Sequence, residues 1–122
     1  MEQGAKATIL VVEDEPLVRL VAAGMLEDAG WTAIEAADAA DALCVLSRHP
    51  DVHVLFTDIN MPGMDGLELA RLVHQSHPHI ALVITSGKRA LSEIELPDDG
   101  TFLAKPYDYE QLTSAIGHKL RS

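Results

Sequence analysis

Val54-Leu55-Phe56-Thr57-Asp58-Ile59-Asn60-Met61-Pro62-Gly63 is the stretch from which the fold of this chain is read. A short apolar run carries an aspartate to its carboxyl end, and a Pro/Gly turn stops the strand there. Open α/β sheets place ligands and chemistry at that edge, so Asp58 is expected in a site.

Outward from this stretch the same unit recurs. Upstream, Thr8 to Val12 is a β-branched and leucine run suited to a strand covered on both faces, and it ends in Glu13-Asp14-Glu15. Pro16 fits a first helical turn, and Val18, Val21, Ala22, Met25 and Ala29 recur at helical spacing up to Gly30. Trp31 to Glu35 reads as a second strand with Trp31 packing at its boundary. Asp38 then caps a helix with Ala39, Ala42, Leu43 and Leu46 on one face, closed by Pro50.

Downstream, Asp65 and Glu68 have capping-box spacing before a helix that gathers Leu69, Leu72, Val73 and Ser76. Ile80 to Ile84 and Thr101 to Ala104 make two more strands, followed by Thr85-Ser86-Gly87 and Lys105-Pro106. Between them, Lys88 to Leu96 has room only for a short or irregular helix before Pro97-Asp98-Asp99-Gly100 breaks it. Asp108 and Gln111 open the last helix, whose expected core face is Tyr109, Leu112, Ile116 and Leu120. Strands alternating with helices predict a flavodoxin-like (βα)5 fold: a doubly wound parallel sheet in strand order 2-1-3-4-5. The domain is expected over residues 8–122, behind a flexible segment 1–7 and without an output domain.

Composition narrows the functions. The 122 residues suffice for one core. A net charge of −10 argues against nucleic-acid binding, which draws on clustered Lys and Arg. Cys44 is the single cysteine, which leaves no internal disulfide, fits a reduced cytoplasmic setting and is expected as a small buried helix residue. No apolar run approaches the ~18 residues of a membrane span, and the N-terminus has no secretory h-region. His74, His77 and His79 straddle Pro78, so one helical face cannot present all three to a transition metal.

Laid side by side, the strand ends carry Glu13 and Asp14, then Asp58, then Thr85, then Lys105. Carboxylates crowded together repel unless a cation joins them, and hard oxygen donors without His or Cys point to Mg²⁺ or Mn²⁺. Lys105 adds a fixed positive charge and Thr85 a hydroxyl donor. Phosphoryl transfer needs chiefly positioning and charge neutralisation, and an aspartate can serve as its nucleophile.

Four segments, Val11-Val12-Glu13-Asp14-Glu15-Pro16, Thr57 to Gly66, Ile84-Thr85-Ser86 and Leu103-Ala104-Lys105-Pro106, resemble the receiver domain of two-component response regulators, over nearly the whole chain. The resemblance implies that Asp58 is phosphorylated by a sensor histidine kinase or a histidine phosphotransfer protein. It implies Asp14 and Asp58 as direct Mg²⁺ ligands, the Asn60 backbone carbonyl as another, and Glu13 acting through water. Thr85 and Lys105 would bind phosphoryl oxygens, with Thr85 and Phe102 as the switch pair. Asn60 and Gly87 flank the phosphoryl group and set its lifetime, and a glycine there predicts a short one. Leu17, Val18 and Pro106 form the expected docking patch.

Two departures carry consequences. Glu13 stands where many relatives have Asp, and its extra methylene shifts its reach. Phe102 has no hydroxyl, so its switching must work by burial and packing. The short, Pro97-broken segment between Thr85 and Lys105 points to a monomer or weak dimer, signalling to a downstream protein. A haloacid-dehalogenase-like phosphatase would need a second acid at position 60, where Asn60 stands. A phosphorylation-independent binding module would not need Asp14, Asp58, Thr85 and Lys105 together. A receiver excised from a hybrid kinase is the third alternative, against which the Met1 start and polar C-terminus favour a stand-alone protein.

Overall fold

The computed structural model describes residues 6–87 and 100–121. The predicted short helix over Lys88–Leu96 lies outside the described residues. Strands β1 (Thr8–Val12), β2 (Thr32–Ala36), β3 (Val54–Asp58), β4 (Ala81–Ser86) and β5 (Thr101–Ala104) form one parallel sheet in the order β2-β1-β3-β4-β5. Around it lie α1 (Pro16–Asp28), α2 (Ala39–Arg48), α3 (Gly66–Ser76) and α4 (Tyr109–Arg121). This is the predicted doubly wound architecture and strand order.

Central strands bury both faces, which is why β1 and β3 read as unbroken apolar runs rather than alternating ones. Leu10, Val12 and Leu55 point into a core shared with α2 and α3, while Ile9, Val11 and Phe56 point into a second core shared with α1 and α4. Caps follow the sequence signals. Asp38 and Asp65 accept the N–H groups of Asp41 and Glu68. Asp108 and Gln111 cap each other reciprocally, each side chain accepting the other's main-chain N–H.

Four helix faces differ from expectation. On α3, Leu67 and Ala70 join Leu69 and Val73 in the core, while Leu72 is only partly buried and Ser76 is exposed. On α1 the residues against the sheet are Ala22, Ala23 and Leu26, while Val21 is 56% exposed. The helix is apolar on more than one side, and spacing alone does not tell which side the sheet covers. On α2, Val45 joins the core, and Cys44 is exposed rather than buried. On α4, Gly117 is buried and Tyr109 largely exposed. A side chain at 117 would come within 3.8 Å of Trp31, which packs its ring into the second core.

Candidate functional site

Register builds the site. Val12 pairs with Thr57, Asp58 with Thr85 and Ser86 with Ala104, so the residues after β1 and β5 fall at the same sheet edge as the ends of β3 and β4. Glu13, Asp14 and Asp58 each offer a carboxylate oxygen there, the three lying within 4.8 Å of one another. Glu13 and Asp58 are buried, and Asp14 is exposed at the rim.

Lys105 reaches both buried acids, its Nζ lying 2.9 Å from Glu13 Oε1 and 3.4 Å from Asp58 Oδ2. The longer Glu13 side chain therefore holds the ammonium more closely than Asp58 does. Its other oxygen accepts the Glu15 N–H at 3.1 Å. Two buried side-chain oxygens are left without a hydrogen-bond partner among the described residues, Asp58 Oδ1 and Thr85 Oγ1. They sit on directly paired positions of adjacent strands. Buried polar groups are nearly always satisfied, so this pair marks unused binding capacity.

Electrostatics agree with that picture. Burial pushes the Asp58 carboxyl above the usual carboxylate range; Lys105 opposes this, Glu13 adds to it, and the Asn60 main-chain N–H opposes it. Burial works against the charged form of Lys105, but the Glu13 hydrogen bond and the Asp58 and Glu13 charges outweigh it, and its pKa is raised. Tyr107, half-buried beside the two acids, is pushed up to about 12 by desolvation first and by Glu13 and Asp58 after it.

An all-oxygen, anionic cluster with an unpartnered buried carboxylate oxygen fits a hard divalent cation. The remaining predicted positions are also gathered nearby. Asn60 follows the β3 end and donates Nδ2 to Ser86 Oγ at 2.9 Å. Among the described residues, a side chain at Gly87 would meet only Lys105, at ordinary contact distance. Phe102, paired with Ile84 beside Thr85, is half-buried against the α2/α3 core. Leu17, Val18 and Pro106 line a groove of about 370 Å³ with Val21, Met25 and Tyr107, and Lys105 at its end.

Sequence reasoning missed three supports. A Cβ on Gly66 would overlap the Asp58 carbonyl oxygen and lie 2.8 Å from its carbonyl carbon, so only glycine lets α3 start against the Asp58 loop. Arg19 donates to the Glu13 carbonyl at 2.9 Å and to Glu35 at 3.1 Å, clamping the acidic loop to β2. Ser86 holds Asn60. For Gly66 a signal existed in a glycine at the first position of a capped helix; the other two join segments far apart in sequence.

Known proteins place the chain in a family. Residues 9–117 match the response regulator receiver domain, and the chain belongs to that family. It is 35% identical over 119 residues to the sensor kinase CckA of Brucella abortus, covering 93% of the chain but 12% of that kinase. It is similar to the crystal structure of the receiver domain from the hybrid histidine kinase CckA, with 32% identity and TM-score 0.81, covering 93% of this chain and 99% of that one. It is likewise similar to a response regulator receiver protein from Sinorhizobium medicae, with 29% identity and TM-score 0.87, covering 99% and 98%. The chain is thus a receiver domain of phosphorelay signalling, a signalling domain rather than a conventional enzyme. No helix among the described residues is long and apolar enough to cross a membrane.

Proposed function

We propose that Asp58 is the phosphoacceptor and that the phosphoryl group comes from a sensor histidine kinase or a histidine phosphotransfer protein. The supporting observation is the pair of buried, unpartnered oxygens, Asp58 Oδ1 and Thr85 Oγ1, beside the Lys105 ammonium. An Asp58 oxygen attacks phosphorus; the new P–O bond forms as the P–N bond breaks, and its electron pair leaves on the imidazole nitrogen. Thr85 donates its hydroxyl to a phosphoryl oxygen, and Lys105 moves from Glu13 toward the new charge. Asp14, Asp58 and the Asn60 carbonyl would hold Mg²⁺, or Mn²⁺, with Glu13 acting through water. The bound ion supplies positive charge that offsets the carboxylates and phosphoryl oxygens.

Thr85 moving inward vacates space that Phe102 can fill, and the surface around β4 and β5 changes with it, a shift between two populations. The groove of Leu17, Val18 and Pro106 receives the phosphodonor protein, and the signal leaves by contact with a downstream protein. The acidic net charge disfavours nucleic acid as that partner. The protein acts as a monomer or weak dimer in the cytoplasm, where its single, exposed Cys44 stays reduced.

The test is phosphoryl incorporation from a small-molecule phosphodonor with and without Mg²⁺, read by intact mass in wild type and Asp58→Asn. Incorporation requiring both the ion and Asp58 is expected. A folded wild type that gains no mass would overturn the reading in favour of a phosphorylation-independent module.

A further inference from the structure

Asn60 is held through its side chain, whose Nδ2 donates to Ser86 Oγ at 2.9 Å. Ser86 is 1% exposed, follows Thr85 directly, and accepts the Lys105 N–H on its own carbonyl at 3.1 Å. One buried serine therefore ties the loop after β3 to the end of β4 and the turn after β5. With one Nδ2 hydrogen on Ser86, the orientation of the carboxamide is fixed, and its acceptor, Oδ1, faces away from Ser86.

We infer that Ser86 is a positioning residue that sets how long a phosphoryl group persists on Asp58, by orienting the Asn60 carboxamide. Ser86 has this role only if Asp58 accepts phosphate as proposed. An acyl phosphate is lost when water attacks phosphorus. A P–O bond to the water oxygen forms, the bond to the Asp58 oxygen breaks with its electron pair returning to the carboxylate, and the water's protons end on inorganic phosphate and solvent. An acceptor fixed beside that path takes a hydrogen of the water and aims its lone pair. Released from Ser86, the carboxamide can instead turn its NH₂ group onto a phosphoryl oxygen and shield it. Both changes lengthen the lifetime.

Wild type, Ser86→Ala, Asn60→Ala and the double variant are loaded from a small-molecule phosphodonor with Mg²⁺, and loss of the added mass is timed after the donor is removed. Ser86→Ala should slow the loss about fivefold, the scale of one neutral hydrogen bond. Added to Asn60→Ala, it should slow it no further, because both variants break the same contact. Equal rates for wild type and Ser86→Ala, or equal slowing on the Asn60→Ala background, would overturn the role of Ser86 while leaving Asp58 as phosphoacceptor. A second readout needs no phosphate. The Asn60 side-chain amide protons of isotope-labelled protein should exchange with solvent faster in Ser86→Ala, and unchanged exchange would show that Ser86 does not hold them. Absence of loading in wild type is a different failure, which removes the phosphoacceptor and the lifetime role together.

Discussion

The two ends of the same sheet spend their polar groups differently. At the amino ends of the strands, His53 accepts the Thr8 N–H on Nδ1 at 3.0 Å, returns its own N–H to the Thr8 carbonyl at 2.8 Å and takes the Ala81 N–H at 3.0 Å. His79 meets the Pro50 carbonyl beside it at 2.9 Å. At the carboxyl ends, three carboxylates crowd together, one ammonium reaches two of them, and two buried oxygens have no partner among the described residues. One end closes its hydrogen bonds and serves as scaffold. The other keeps capacity in reserve, which destabilises the resting protein and makes room for a ligand.

The largest expected difference between the ends is all-or-none. Asp58→Asn should abolish phosphoryl incorporation, whereas His53→Ala should retain it, both read by intact mass. Loss in His53→Ala would show that the amino ends are not mere scaffold. Next comes Gly66→Ala, where a methyl must displace the Asp58 carbonyl; thermal unfolding should report a loss of about 1–3 kcal/mol, the scale of overpacking. An unchanged melt would mean that the open end yields without strain.

Opposite signs of stability are a sharper test. Burial and Glu13 keep the Asp58 pKa above its unfolded value of 3.8, so the folded state holds that proton more tightly and stability falls as pH rises through the raised pKa. Above it, the charge is a standing penalty. In chelator at neutral pH, Asp58→Asn should therefore stabilise by about 1 kcal/mol, within the range of relieved functional strain. His53→Ala should destabilise by a similar amount, about one hydrogen bond. Matching signs in denaturant melts would erase the contrast.

Phe102→Ala should leave phosphoryl loading within about twofold, since Phe102 packs against the α2/α3 core, yet weaken the conformational response. Amide-shift changes on phosphorylation near β4 and β5 would read it, and an undiminished response would remove Phe102 from the switch. The smallest effect concerns Tyr107. Its phenol ionises near 12 rather than 10.0, so its contribution to stability is intact below pH 10 and is lost as pH rises toward 12. In a Tyr109→Phe background, phenolate absorbance should rise only near the upper value, and Tyr107→Phe should flatten stability across that window.

Much of this was legible in the residues. Apolar runs ending in Asp58, Thr85 and Lys105 predict strands whose ends share an edge, because every parallel strand in such a sheet delivers its carboxyl end to the same side. Caps at Asp38, Asp65 and Asp108 were readable because they act over three residues of contiguous chain. Less was visible where the chain is apolar all round. Leu17, Leu20 and Val21 of α1 are 71%, 59% and 56% exposed although their spacing would equally suit a core face.

By itself, then, the sequence determined the alternation of elements, the strand order it implies, the caps, and the set of polar residues at the strand ends, since all of these follow from local periodicity and chain direction. Only the tertiary structure decided that Lys105 lies closer to Glu13 than to Asp58, that Gly66 must lack a side chain, and that Ser86 restrains Asn60. Those outcomes depend on differences of an ångström or less between segments distant in sequence, and such differences are set by how helices and strands pack.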